Sequence, residues 1–244
     1  GCALAASILI GLFGPKLLRG RSHWVAILGV AGSVAAAAHL LYHVMPTLGE
    51  GGAITGVAYE WFGAGGFTAG VNYLYDHLTA IMLITVTAVS LCVVIFSRGY
   101  MHGDRGFPRY FAYISLFVFS MCTLVLAGNF LLLYLGWELV GLCSYLLIGY
   151  YYDRPSARAA AKKAFIVNRV GDFGFGLGVL MIWLTFGSLD FQTVFANIGM
   201  ASGGELTAIA LLLLCGAVGK SAQLPLHVWL PDAMEGPSPV SALI

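Results

Sequence analysis

The chain has 244 residues, of which 59% are hydrophobic and only 9% are charged, and its formal net charge is +1. Soluble domains typically carry about 25% charged residues, so this composition excludes an ordinary water-soluble fold and indicates a membrane protein. A net charge near zero gives no indication of nucleic-acid binding. The five cysteines lie singly in apolar runs, without a Cys-x-x-Cys or Cys/His pattern. We therefore predict no disulfide, no bound metal and no iron–sulfur cluster in this chain.

Seven apolar runs follow one another along the chain, and an eighth begins near its end. They cover about residues 1–14, 24–46, 74–97, 110–127, 130–150, 163–187 and 206–230, and the eighth starts near 238. A membrane-spanning helix needs about 20 apolar residues, and the runs lack the alternation of barrel strands. The sequence thus predicts an all-α polytopic membrane protein with two units, residues 1–109 and 110–244. We expect the chain to be the N-terminal part of a longer protein.

Most of the positive charge lies in alternate loops. Ten of the 12 basic residues follow the first, third and fifth runs: Lys16, Arg19, Arg21, Arg98, Arg105, Arg109, Arg154, Arg158, Lys162 and Lys163. The other loops carry the acidic residues Glu50, Glu60, Asp190 and Glu205 and no Lys or Arg. By the positive-inside rule, the basic loops face the cytoplasm or the mitochondrial matrix, and the N-terminus lies outside.

Two opposite charges lie deep inside predicted spans. Glu138 is about eight residues, or ~12 Å, into the fifth run, and Lys220 is about 14 residues, or ~21 Å, into the seventh. An ionised side chain at the bilayer centre costs at least ~2.5–3.5 kcal/mol. Burial disfavours the charged form of both groups, so each could exchange a proton near neutral pH. We predict that Glu138 and Lys220 come close and form a proton relay; a static ion pair is the alternative.

Two further charges lie in the sixth run. Arg169 and Asp172 are three residues apart on one helix, a spacing that favours a local structural pair. Lys163 lies nearer the cytoplasmic end, where it could take part in the relay or its hydration; snorkelling to the interface is the alternative. Gly174 and Gly178 form a small-xxx-small spacing, which predicts close helix packing.

A helix break is predicted just after Lys220. Pro225 removes a backbone donor and clashes with the carbonyl four residues earlier, and broken helices at membrane depth usually line a cavity or an ion site. Ser221 and Gln223 could form hydrogen bonds at this break, and His227 could take part in a relay. A harmless proline kink and an ordinary polar histidine are the alternatives.

Several motifs resemble one known family. They are RYFAY (109–113), YLGWELVGLCSYLLIG (134–149), NRVGD (168–172), KSAQLPL (220–226) and WLPDAMEGPSPVSALI (229–244). These stretches resemble the antiporter-like subunits of respiratory complex I (NADH–quinone oxidoreductase), called L in bacteria and chain 5 in mitochondria. The resemblance begins near Asp76 and is weak before it.

The resemblance implies a fold of two inverted five-helix repeats, each with a discontinuous helix. Residues 110–244 would form the first repeat, cut short, and so would hold only part of a proton path. Glu138 and Lys220 would be the relay pair, and Arg169 with Asp172 would modulate the lysine. Quinone reduction elsewhere in the complex would drive proton movement.

The resemblance also implies where cofactors and partners lie. This chain would hold no redox cofactor, because NADH, FMN, iron–sulfur clusters and quinone would belong to partner subunits. Its partners would be lipid and other membrane subunits of complex I, especially neighbouring antiporter-like ones, in a bacterial plasma membrane or the mitochondrial inner membrane. The A subunit of a multisubunit Na⁺/H⁺ antiporter is an alternative, and a purely structural membrane scaffold is another.

Overall fold

A computed structural model of the chain describes residues 1–49, 52–64 and 67–244. Glu50, counted above among the acidic loop residues, lies outside these ranges. The helices are α1 Cys2–Phe13, α2 Ser22–His39, α3 His77–Tyr100, α4 Phe107–Val125, α5 Phe130–Ile148, α6 Pro155–Phe186, α7 Phe191–Ala196, α8 Gly203–Lys220 and α9 Ser238–Ser241. In the described ranges, α2 with the short turns that continue it, α3 to α6, and α8 are long and apolar enough to cross a membrane. The chain is thus a multi-pass helical membrane protein, as predicted.

Polar side chains define where three of these helices begin. The Asp76 carboxylate accepts a hydrogen bond from the backbone N–H of Thr79, at 2.7 Å, and Asn129 caps α5 in the same way. A reciprocal capping box between Ser202 and Glu205 starts α8. These side chains satisfy backbone donors that have no partner within the helix. The third apolar run, predicted at about residues 74–97, thus forms a helix that begins at His77, directly after its Asp76 cap.

One β-hairpin was not predicted from the sequence. Its strands, β1 Ile54–Ala64 and β2 Phe67–Tyr75, pair antiparallel in the segment between α2 and α3. The backbone N–H of Gly128, in the α4–α5 connection, donates to the carbonyl of Asn72 at 2.8 Å. A Cβ at position 128 would lie 2.9 Å from the backbone of Tyr73, so this approach requires glycine. Pairing with this distant connection orders the hairpin, and no local pattern reports such pairing.

Two helix boundaries differ from the predicted ones. Helix α6 begins at Pro155, eight residues before the sixth run, so Arg158, Lys162 and Lys163 lie on its first turns and not in a loop. Helix α8 ends at Lys220, ten residues before the end of the seventh run. Ala222 has a φ of +48°, in the left-handed region, which is incompatible with a continuing helix. The break thus lies directly after the lysine, and Pro225 follows it in a non-helical segment.

Glycines bring α6 and α8 into close contact. A Cβ at Gly171 would lie 2.8 Å from the carbonyl oxygen of Cys215, and one at Gly174 would lie 2.6 Å from the Cβ of the same cysteine. A Cβ at Gly178 would likewise lie 3.1–3.2 Å from atoms of Leu212 and Leu213 on α8. The predicted packing role of Gly174 and Gly178 is confirmed. This close approach sets the distance between charged groups on α6 and the end of α8.

Candidate functional site: a polar layer between α5, α6 and α8

Two ion pairs lie between α5, α6 and α8. The Lys220 amine on α8 lies 3.8 Å from Oδ2 of Asp172 on α6, and these side chains are 18% and 2% exposed. Arg169 on α6 forms an ion pair with Glu138 on α5, with side chains 36% and 21% exposed. We call these four residues the polar layer. Ionised groups inside a membrane protein are rare and are usually paired, as they are here.

The pairing differs from the prediction. The sequence favoured Glu138 with Lys220 and Arg169 with Asp172, but both ion pairs in the structure join α6 to a different helix. The physical reason is the rotation of α6: residues three apart differ in direction by about 60° around the helix axis. Arg169 therefore points to α5, while Asp172 lies between α5 and α8. The structure thus brings the four predicted residues together, but with other partners than the sequence favoured.

Asp172 is the most buried member of the polar layer. Its Oδ1 accepts a hydrogen bond of 2.7 Å from the indole N–H of Trp137 on α5. Its Oδ2 is buried without a hydrogen-bond partner among the described residues, and so is Oδ1 of Asn168, one turn earlier on α6. Buried polar atoms are normally satisfied by protein or by ordered water. We therefore expect water to enter this part of the layer.

Lys220 occupies the end of α8, and its side chain reaches α5. A Cβ at Gly141 would lie 2.6 Å from Nζ of Lys220, so the amine rests against the backbone at this glycine. Gly141 is three residues after Glu138, which places the two on neighbouring positions of one α5 face. The amine thus lies between the carboxylate of Asp172 and the α5 turn that carries Glu138. A short side-chain movement could change which carboxylate it faces.

Other predicted site residues lie outside the polar layer. Ser221, Gln223, Pro225 and His227 are exposed in the segment after α8, and the structure does not bury them with Lys220. The indole N–H of Trp229 donates to the carbonyl of Gly219 at 3.0 Å and holds this segment against α8.

Lys163 also lies outside the layer. It pairs with Asp232 at 2.8 Å, and the two side chains are 45% and 40% exposed. Sequence reasoning missed Trp137, Gly141 and Asn168 as parts of the layer. Trp137 and Asn168 directly precede two of the predicted charged residues, and that adjacency was the available signal.

Comparison with known proteins identifies the family. A profile described as NADH:quinone oxidoreductase/Mrp antiporter, TM matches residues 127–244. A second, described as NADH-Ubiquinone oxidoreductase (complex I), chain 5 N-terminus, matches residues 61–111. The chain is 50% identical over 254 aligned residues, 99% of its length, to NADH-quinone oxidoreductase subunit L of Neisseria meningitidis. The chain belongs to the NADH:quinone oxidoreductase/Mrp antiporter family. The resemblance drawn from the sequence motifs is confirmed.

Other family members agree with this assignment. NAD(P)H-quinone oxidoreductase chain 5 of Synechocystis is 52% identical over 191 residues, which is 76% of this chain. The chain spans 37% of the length of the Neisseria relative and 28% of the Synechocystis one.

Solved structures share the fold. The Mrp complex of Dietzia sp. DQ12-45-1b superposes with a TM-score of 0.83 at 26% identity, over 99% of this chain and 25% of that one. An archaeal membrane-bound sulfane sulfur reductase superposes with a TM-score of 0.80 at 18% identity, over 99% of this chain and 48% of that one, which shows the fold alone. The antiporter-like helical fold is therefore confirmed.

Proposed function

We propose that the chain is part of a proton-translocating membrane subunit of an NADH–quinone oxidoreductase, and that the polar layer carries protons. The observation that carries this proposal is the placement of Lys220. Its amine sits at a helix break, 3.8 Å from a nearly inaccessible carboxylate and against the α5 turn that carries Glu138.

The chemistry follows from the two pairs. Asp172 stabilises the protonated amine of Lys220, and loss of a proton from that amine would leave the carboxylate without its counter-charge. Arg169 supplies the counter-charge of Glu138. If the amine moves from Asp172 toward Glu138, it leaves one carboxylate without its counter-charge and brings a positive charge to the other. Coupling the movement of Lys220 to a distant driving reaction would then move protons through water next to Asp172 and Asn168.

Variants of the layer test the proposal. We expect Lys220→Met and Glu138→Gln to lower the number of protons moved per electron in inside-out membrane vesicles supplied with NADH and quinone. Lys163→Met is the matched control, because it breaks a lysine–aspartate pair that lies outside the layer. Native gel electrophoresis would establish that each variant assembles. Normal pumping by assembled Lys220→Met and Glu138→Gln variants would exclude the relay and favour a structural scaffold.

An Mrp-type Na⁺/H⁺ antiporter subunit is the second candidate function. The observation that favours it is the superposition on the Dietzia Mrp complex. The curated relatives named NADH-quinone oxidoreductase subunit L or chain 5 favour the first candidate, since their identity of 50–52% is well above 26%. Vesicles separate the two: sodium-dependent exchange without NADH would identify the antiporter, and NADH-driven acidification without sodium would identify the oxidoreductase.

The same proposal includes the setting of the chain. We place it in a bacterial plasma membrane or the mitochondrial inner membrane, with its basic loops in the cytoplasm or matrix and its N-terminus outside. We assign NADH, FMN, iron–sulfur clusters and quinone to partner subunits. Its neighbours would be other membrane subunits, among them antiporter-like ones. Attaching a membrane-impermeant thiol label to a cysteine introduced at Gly1 would test the orientation, because labelling from the outer side is expected.

A further inference from the structure

A basic cavity lies where α4, α5 and α6 meet at one end of the helical bundle. Its volume is about 270 Å³, and it opens between the start of α4, the end of α5 and the first turns of α6. Three cations line it, Arg109, Arg158 and Lys162, together with tyrosines that include Tyr113 and Tyr145. The described lining contains no acidic residue. The polar layer does not include any of these side chains.

The length of α6 places this cavity at the depth of lipid headgroups. Its 32 residues extend about 48 Å, whereas the hydrocarbon core of a bilayer is about 30 Å thick. Counted from Phe186 at the other end, about 20 residues cross the core, so the hydrocarbon boundary falls near residue 166. Lys162 and Arg158 then lie about 6 and 12 Å beyond that boundary. Phosphate groups of phospholipids occupy this layer.

The cations of the cavity remain available for an anion. Arg109 stacks over Tyr150 and Tyr152 at 5.0 and 4.6 Å, and one of its terminal nitrogens donates to the carbonyl of Tyr150 at 3.0 Å. Its Nε is buried without a hydrogen-bond partner among the described residues. None of the ion pairs found in the described ranges includes Arg158 or Lys162. Guanidinium and ammonium groups around a small cavity are the donors that a phosphate requires.

An apolar seam continues from the cavity into the bilayer. On α6, Ile166 lies one turn deeper than Lys162 and is 62% exposed, and on α5, Leu142 lies one turn deeper than Leu146 and is 40% exposed. Residues four apart share a helix face, so both apolar side chains lie below the cavity lining. Together, a basic cavity at headgroup depth and an apolar seam beneath it match the two ends of a phospholipid.

We propose that this cavity binds the phosphate of an anionic phospholipid, whose acyl chains lie along the α5–α6 seam over Leu142 and Ile166. The seam leads toward the Glu138–Arg169 pair, one further turn along each helix. The bound lipid would therefore cover that pair on the side away from α8. The site stands independently of the proton-transfer proposal, because it uses none of the same side chains.

The test uses the protein in nanodiscs, together with the subunits that purify with it. The probes are phosphatidylglycerol and phosphatidylcholine that carry the same photoactivatable acyl chain. We expect phosphatidylglycerol to label residues 142–146 and 162–166, as mapped by peptide mass spectrometry. Each surface cation contributes about a fivefold gain in affinity for anionic lipid, so the Arg158→Gln/Lys162→Gln variant should lose labelling on the order of 25-fold.

Two further variants keep the result interpretable. Lys16→Gln/Arg105→Gln removes the same charge outside the cavity, and we expect it to label as the wild type does. Arg158→Lys/Lys162→Arg keeps both charges and should retain most of the labelling, which excludes a folding defect as the cause.

Four results would overturn the proposal. The first is equal labelling by phosphatidylcholine, and the second is equal loss in the control variant. The third is a cross-link from this seam only to another polypeptide, which would show that a subunit covers the site. The fourth comes from a protection experiment, in which Arg158 and Lys162 are chemically modified in the presence of millimolar inorganic phosphate or of phosphatidylglycerol. If phosphate protects these residues and phosphatidylglycerol does not, the site binds a free anion and the lipid proposal fails.

Discussion

The partners within the polar layer can be tested with a double-mutant cycle. The structure pairs Glu138 with Arg169 and Asp172 with Lys220, whereas the sequence favoured Glu138 with Lys220 and Arg169 with Asp172. Coupling between residues in contact is commonly about 0.5–3 kcal/mol, and distant residues are additive within about 0.5 kcal/mol. We expect Glu138→Gln and Arg169→Gln to couple by about 1–2 kcal/mol, because the two side chains are in direct contact.

The second pair should couple more strongly. Asp172 is 2% exposed, so removing either partner leaves a buried charge uncompensated, and a coupling of about 2–3 kcal/mol is expected for Asp172→Asn with Lys220→Met. The crossed pair, Glu138→Gln with Lys220→Met, should show the smallest coupling of the three. The free energy of unfolding would be measured by titration with a denaturing detergent in mixed micelles, followed by circular dichroism. If the crossed pair gave the largest coupling, our assignment of partners would be refuted.

Three more outcomes follow from contacts in the helical bundle. Gly171→Ala should lower the free energy of unfolding by about 1–3 kcal/mol, because the added Cβ would lie 2.8 Å from a backbone carbonyl of α8. Gly176→Ala is the control: its Cβ would lie 3.3 Å from a tyrosine hydroxyl, and it should change stability far less in the same unfolding assay. Asn129→Ala should lower the free energy of unfolding by about 1–2 kcal/mol, because it removes the α5 cap. It also removes the 2.9 Å hydrogen bond from the Asn129 amide to the hairpin, so hydrogen exchange should show earlier opening of the hairpin. Trp137→Phe removes the 2.7 Å donor to Asp172 and should lower proton transfer without preventing assembly, and unchanged transfer would count against a role for this hydrogen bond.

The sequence by itself determined the class of protein and picked out the charged residues that lie inside its membrane helices. Low charge content and long apolar runs are sums over many residues, so they predict membrane helices without knowledge of any contact. The cost of burying a charge in lipid is equally independent of the partner. Glu138, Arg169, Asp172 and Lys220 can therefore be selected from the order of residues alone. The motifs around them also placed the chain in its family.

Only the tertiary structure decided which charges pair and where α8 ends. Pairing depends on how each helix is rotated about its axis, and the α6–α8 glycine contacts set that rotation through atoms distant in sequence. The hairpin is similar, because it is held by backbone hydrogen bonds to the α4–α5 connection more than 50 residues away from its first strand. Local patterns report burial and periodicity. Which surfaces meet is a property of the packed bundle, and that is why the lysine faces Asp172 and not Glu138.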